Sequence, residues 1–377
     1  MELRRLQAAD YDELIQLLNV VFTRQNGFEM DFEKQLPKMC VRDDAHMGKH
    51  LGIFEDGKLV ACVGVYPLDA VVAGEKLRFS TMGNVATHWD YTGRGYMTKL
   101  LDAAQQELEN IGADASRLGG NRQRYGRYGF EACGQVLQLT FYKNTLSKRF
   151  PNAGEISFVK IEKDDNAALN FCTELYNRNA LAVTRSVSDC YRVLTAWEHT
   201  PYLCLSGGQM VGYISAKGGS LAEAFALDTR HFTDILCRWQ QNTDDHVTVT
   251  LQPHMTEKIS ILSAVSDTMQ LRSPSHFQIR NWEKVVSAFL KLKASYCTLS
   301  EGEFVLAIEG YGTVRIFVEE GKTGCERTDK APHLTLDRMQ AARFLFGPLA
   351  PEYTAQTDDL PTGWLPLPLS WNGQDRV

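Results

Sequence analysis

The chain has 377 residues, 44% of them hydrophobic and 23% charged, which is enough for two or three domains with cores of ordinary composition. Its formal net charge of −6 is spread without a markedly basic half, so it does not read as a general nucleic-acid binder, and no apolar run approaches the length of a membrane span. The nine cysteines (Cys40, Cys62, Cys133, Cys172, Cys190, Cys204, Cys237, Cys297 and Cys325) form no Cys-x-x-Cys pair and no zinc-type cluster, and the charged N-terminus is no signal peptide; both predict a cytoplasmic protein with reduced, mostly buried thiols and no metal site.

Met1 to Arg5 is expected to be a first strand. Ala9-Asp10 then caps a helix whose buried face is Leu14, Leu17, Leu18, Val21 and Phe22. Residues 27–50 are irregular and carry Glu29, Asp31, Glu33, Asp43 and Asp44. They read as a solvated acidic loop with a short helix, or as a mouth that draws in cationic amines. Leu51 to Tyr66 reads as a hairpin closed at Asp56-Gly57, and Val71 to Phe79 continues the sheet through a turn at Gly74.

The stretch from Met82 to Phe130 carries the chemistry. Met82, Val85 and Ala86 are expected in a buried strand, and Gly93-Arg94-Gly95 is a turn. From Tyr96 the residues Met97, Leu100, Leu101, Ala104, Leu108 and Ile111 recur at helical spacing up to a stop at Gly112. A glycine turn that opens a helix suits a phosphate group, because the first helical N–H groups are unpaired and carry partial positive charge. Ala115 to Leu118 is a further short strand. Gly119-Gly120-Asn121-Arg122 then leads into Tyr125-Gly126-Arg127-Tyr128-Gly129-Phe130, and Val136 to Tyr142 is expected to close the first domain.

Beyond a linker near Lys148–Gly154, Asp164-Asp165-Asn166 caps a helix, Tyr191 to Trp197 is helical, and two strands meet across Gly207-Gly208. A helix near Phe232–Trp239 and a strand Val247–Leu251 follow, with no second phosphate turn. In the third segment Trp282, Val285, Val286 and Phe289 mark a helix. Cys297–Leu299, Glu303–Ile308 and Thr313–Val318 read as strands, Gly321 to Gly324 as a turn, and Leu334–Leu336 as the opening of a last helix. The tail holds Trp364, Leu365, Leu367, Leu369 and Trp371, so it is expected to pack inward.

The order strand, Gly/Arg turn, amphipathic helix and tyrosine motif resembles the GNAT acetyltransferase superfamily. At the turn this chain has Thr92, Gly95 and Met97 where that family's pattern has Gln or Arg, Gly, and Gly or Ala. The closing Tyr125 to Phe130 is similar to the motif of the Eis (enhanced intracellular survival) acetyltransferases at every position. The resemblance implies an α+β fold: a GNAT domain over 1–150, a degenerate GNAT-like domain over 151–278, and a sterol-carrier-protein-like domain over 279–377. It also implies a homo-oligomer, commonly a hexamer. The chemistry it implies is acetyl transfer from acetyl-CoA to a primary amine of a small cationic or lysine-containing peptide acceptor, without metal, nucleic acid or membrane. Val85, Ala86 and Thr87 would line the pantetheine. The turn and helix start (Gly93, Arg94, Gly95, Tyr96, Met97 and Thr98), with Asn121 and Arg122, would bind the remainder of CoA. Tyr125 would protonate the departing thiolate, and a carboxylate at Val377 would help take the proton from the amine. Two other functions fit the same resemblance: a non-catalytic acyl-CoA or lipid-binding protein, and an acyltransferase for longer chains.

Overall fold

In the computed structural model the described residues are 1–243, 246–355 and 358–377. They build three sheets with helices packed against them, a mixed α+β architecture. The first sheet starts with Glu2–Arg5 antiparallel to His50–Glu55. The long strands Lys58–Val72 and Glu75–Thr87 follow, then Ala115–Leu118 in parallel with the second of them. Both hairpin turns are read correctly from their glycines: Asp56-Gly57 has φ of 49° and 76°, and Ala73-Gly74 has 48° and 85°. The first helix runs over Tyr11–Asn26 and ends on Gly27 in the left-handed region, with Leu14, Leu17 and Leu18 buried.

The two larger sheets exchange strands. Val136–Phe141, expected to close the first domain, pairs with Val247–Leu251 and Thr268–Arg272 in the second sheet. In return Ser275–Ile279 comes back to the first sheet, between Ala115–Leu118 and Glu131–Cys133. The physical reason is that alternation gives a strand two faces but says nothing about which edge it joins. The second sheet continues through Ser220–Ala226, Gln209–Lys217 and Thr200–Ser206 to Ser157–Lys160.

The third sheet has four strands, Lys322–Arg327, Gly312–Glu319, Gly302–Ile308 and Leu334–Leu336, with helices Trp282–Ala294 and Arg338–Phe346. Three local expectations fail here. Residues 297–299 form no strand. The turn falls at Glu320-Gly321, so that Gly324 lies within a strand, where a Cβ would come 2.5 Å from the Phe317 ring. Leu334–Leu336 adds a parallel strand instead of opening a helix, and Asp337 caps the helix that follows it. This unit shares one hydrophobic core with the first sheet: Phe79, Phe277, Trp282, Phe289, Phe304 and Trp371 belong to the same buried cluster.

The tail turns inward. Trp364, Leu367 and Leu369 are fully buried, and Trp371 packs edge-on against Phe79 at 4.7 Å between ring centroids. Its last residues are held by the second unit. Asp375 accepts hydrogen bonds from Arg185 Nε at 3.0 Å and from Tyr176 Oη at 2.6 Å, while Arg185 Nη1 donates to Glu223 at 2.9 Å. Gln374 Nε2 donates to the carbonyls of Leu194 and Ala196 at 3.1 and 3.2 Å. Among the described residues no helix is long and apolar enough to cross a membrane.

Candidate active site

The site forms where two parallel strands separate. Glu75–Thr87 pairs with Ala115–Leu118 only from Phe79 to Met82, because the second strand ends at Leu118. On its other edge the strand carries a bulge. Cys62 faces Ala86 and Gly64 faces Gly83, so Asn84 and Val85 stand opposite Val63 alone. Asn84 takes a positive φ of 54°, which is uncommon for a residue with a side chain. A buried chain of hydrogen bonds holds it there. Asn84 Nδ2 donates to Tyr66 Oη at 2.7 Å, and Tyr66 Oη lies 2.7 Å from His50 Nε2. Burial pushes the His50 imidazole down to about 4, so it is neutral and Nε2 accepts from the tyrosine. The bulge turns the backbone of Gly83–Thr87 towards an open cleft.

Gly93 and Gly95 have φ of 78° and 77°, a conformation that L side chains rarely adopt, and Gly95 starts the helix Tyr96–Asn110. No side chain caps this helix and no acidic residue lies in its first turn, so its leading N–H groups remain for a ligand. They face an outer cleft of about 500 Å³ lined by Val85, Thr87, Thr92, Gly93, Gly95, Tyr96, Met97 and Thr98. An inner pocket of about 420 Å³ adjoins it. Gly83, Asn84, Val85, Gly120, Asn121, Tyr125 and Val377 line that pocket, and Gln25, Val85 and Arg124 are common to both. A separate cleft of about 490 Å³ around Glu13, Lys58, His88 and Tyr91 has neither the open strand edge nor the helix start.

Tyr125 sits on a short helix, Arg122–Gly126, capped by Asn121, and not at a strand end. It is 5% exposed, and its ring packs so tightly on Gly120 that a Cβ there would lie 3.1 Å from Cε2. Burial raises its phenol above the ordinary range, and the neighbouring Arg124 works in the opposite direction. Val377 lies across the pocket against Gly83, where a Cβ would come 2.7 Å from Val377 Cγ1. Only glycine at 83 lets the tail come this close to the strand.

The expected site residues thus separate into two groups. Val85, Thr87, Gly93, Gly95, Tyr96, Met97, Thr98, Asn121, Tyr125 and Val377 line the joined clefts. Ala86 is buried and faces away, with the core of the first helix. Arg94 is drawn to Glu55 at 2.8 Å, and Arg122 makes a two-pronged pair with buried Glu131 at 2.7 and 2.9 Å, so neither guanidinium lines the clefts. Arg124, Gln25 and Trp197 line them without having been singled out from the sequence. Arg124 directly precedes the tyrosine, which was a usable signal, whereas Trp197 arrives from the second unit and left none. The acidic residues of 27–50 do not form a mouth. Asp31 and Asp43 cap short helices, Glu33 accepts from Tyr11 Oη at 2.7 Å, and Asp44 accepts from the Ala8 N–H at 2.8 Å.

Residues 2–133 match the family model of an acetyltransferase (GNAT) domain. Among solved structures the chain is similar to a GCN5-related N-acetyltransferase from Anabaena variabilis, at 15% identity and a TM-score of 0.68, with 98% of each chain covered. A GCN5-related N-acetyltransferase from Kribbella flavida is similar at 15% identity and a TM-score of 0.63, covering 91% of this chain and 88% of that one. Eis1 from Mycobacterium abscessus is similar at 14% identity and a TM-score of 0.61, covering 91% and 89%. No curated protein matches the sequence. The match to the acetyltransferase (GNAT) domain model is thus confined to the first third of the chain, while the fold is shared with these structures along most of its length.

Proposed function

We propose that the protein moves an acetyl group from acetyl-CoA to a primary amine, with a small cationic molecule or a lysine-containing peptide as acceptor. The observation that carries this reading is the open strand edge Gly83–Thr87, set between an uncapped helix start and Tyr125. The N–H groups after Gly93 hold the diphosphate in place of a side-chain cation, since Arg94 is committed to Glu55. The bulged backbone near Val85 polarises the thioester carbonyl. Preorganised donors of this type are worth about 2.7–4 kcal/mol each.

The amine nitrogen attacks the thioester carbon, a C–N bond forms, the C–S bond breaks, and one proton leaves the amine as one reaches the thiolate. An amine with an ordinary pKa of about 10.4 is nearly all protonated at neutral pH, so a base must take its proton. We assign that role to a carboxylate at Val377, a residue that lines the inner pocket. Tyr125 faces the thiolate. An ordinary phenol near 10 is a weaker acid than a thiol near 8.5, so full transfer costs about 2 kcal/mol, and burial of Tyr125 adds to that cost. Tyr125 therefore acts chiefly by a strong hydrogen bond to the developing thiolate, and the proton follows as the product leaves.

The same reading divides the chain into segments 1–150, 151–278 and 279–377, the last sterol-carrier-protein-like, in an Eis-like cytoplasmic homo-oligomer. Calorimetry with CoA tests the proposed site. Gly95→Asp introduces a side chain at φ of 77° and a negative charge at the helix start, and is expected to weaken CoA binding by about tenfold to a hundredfold. Equal CoA affinity in the variant and the parent would remove the diphosphate from this turn.

A further inference from the structure

The inner pocket has a composition that bears on the acceptor. Among the described residues, Phe22, Phe32, Leu36 and Trp197 form an apolar wall facing neutral polar groups such as Asn26, Asn84 and Asn121, Arg124 is the one cation, and no Asp or Glu side chain lines it. Several charges that hold Trp197 and the tail are also cationic or already paired. The Arg376 guanidinium lies over the Trp197 ring at 5.2 Å, and Lys38 Nζ donates to the Gln374 carbonyl. Asp375 is held by Arg185 and Tyr176, and Glu198, next to Trp197, pairs with Lys217 at 2.9 Å.

Trp197 itself is held in an unusual place. It and Glu198 have φ of 62° and 61°, a left-handed pair in which a bulky residue is rare. The tail and the second unit brace it from behind: the Ala196 carbonyl accepts from Gln374 Nε2 at 3.2 Å and lies 3.0 Å from His199 Nδ1. A strained, braced aromatic that reaches across from another unit into the pocket is a wall set for its contact surface.

We propose that the acceptor is a monoamine carried on an apolar, flat body, an arylalkylamine, and that Trp197 sets this specificity. The inference rests on the acetyl-transfer reading above and narrows its acceptor. A polycation would have to bring further ammonium groups into a pocket with no carboxylate side chain to pair them, and an unpaired charge away from water is costly. A single amino group meets no such penalty, because it must lose its proton to react. The apolar wall favours the neutral amine, which is the nucleophile, and the one carboxylate proposed for the pocket, that of Val377, is taken up in removing its proton.

The test uses the intact chain with acetyl-CoA and compares initial rates for phenylethylamine, spermidine and a lysine-containing peptide. The expected kcat/KM for phenylethylamine exceeds that for spermidine by about 100-fold. Trp197→Ala is expected to raise KM for phenylethylamine about tenfold while CoA affinity stays unchanged, and Trp197→Phe to restore most of the loss. Faster acetylation of spermidine or of the peptide would overturn the acceptor class and leave the transfer reaction standing. An unchanged KM in Trp197→Ala would overturn the role of Trp197. Should that variant melt early, the milder Trp197→Phe and the parent's own preference decide the matter. Absence of acetylation with every amine would overturn this inference together with the reading it rests on.

Discussion

Tyr125→Phe is expected to lower turnover by about 10²–10³-fold, the usual loss when one hydrogen-bond donor to charge developing in the transition state is removed. The substitution removes one hydroxyl and keeps a ring that is 5% exposed and packed on Gly120, so folding should survive. CoA affinity should hardly change, because the helix start and the bulged strand are untouched. kcat and kcat/KM should then fall together, the signature of an interaction made only in the transition state. Residues added beyond Val377 are expected to lower turnover as well, since Val377 is seated against Gly83 in the same pocket. The two changes should be less than additive if both act in one transfer. Steady-state kinetics of the four forms checks this. Full turnover in the extended protein would move the base to a water chain, and full turnover in Tyr125→Phe would remove the tyrosine from the reaction.

The second large effect concerns stability. Arg185 is the shared cation of Glu223 and Asp375, with side chains 3%, 0% and 4% exposed. Arg185→Met leaves two carboxylates buried without their partner, a change that typically costs about 3–5 kcal/mol. Its pH dependence has a definite sign. Burial raises the Glu223 carboxyl, and Arg185 opposes the rise, so removing Arg185 raises it further. A carboxyl raised in the folded state binds more protons there than in the unfolded chain, so stability falls as pH increases above its unfolded value near 4.3. Urea melts should therefore show a wide gap between parent and variant at pH 7 and a narrower one at pH 5. A gap that is constant, or that widens in acid, would contradict the assignment of the cluster. Because Asp375 is two residues from Val377, the variant should also lose turnover before it loses CoA affinity, which ties this buried cluster in the second unit to the chemistry in the first.

Local structure was legible wherever one residue type had one physical job. Gly57, Gly74, Gly95 and Gly112 marked left-handed positions, Asp165 capped its helix, and the apolar period of Tyr96–Asn110 placed that helix and its buried face. The tail was expected inside because of its tryptophans and leucines, and it lies inside. Non-local pairing was not legible. Glu131–Cys133 is too short to show a period, and no feature of Ser275–Ile279 names its distant partners. Charges misled for a related reason. Arg94 and Arg122 stand within the glycine turn and just before the tyrosine motif, yet each is claimed by a glutamate that only the fold brings near. The acidic run of 27–50 was open to two readings; Asp31 and Asp43 are spent on caps, Glu33 on Tyr11 and Asp44 on the Ala8 N–H. Trp197 reaches the inner pocket only through the arrangement of two units, which no local pattern encodes.

The central claim is that the cleft beside Gly83–Thr87 passes an acetyl group to an amine. Acetyl-CoA labelled in the acetyl carbon, incubated with the purified chain and phenylethylamine, tests it most directly by counting labelled amide and free thiol in the same sample. The account predicts that the two appear in equal amounts, and that both are lost in Tyr125→Phe while CoA remains bound. Thiol released without labelled amide, whichever amine is offered, would contradict it.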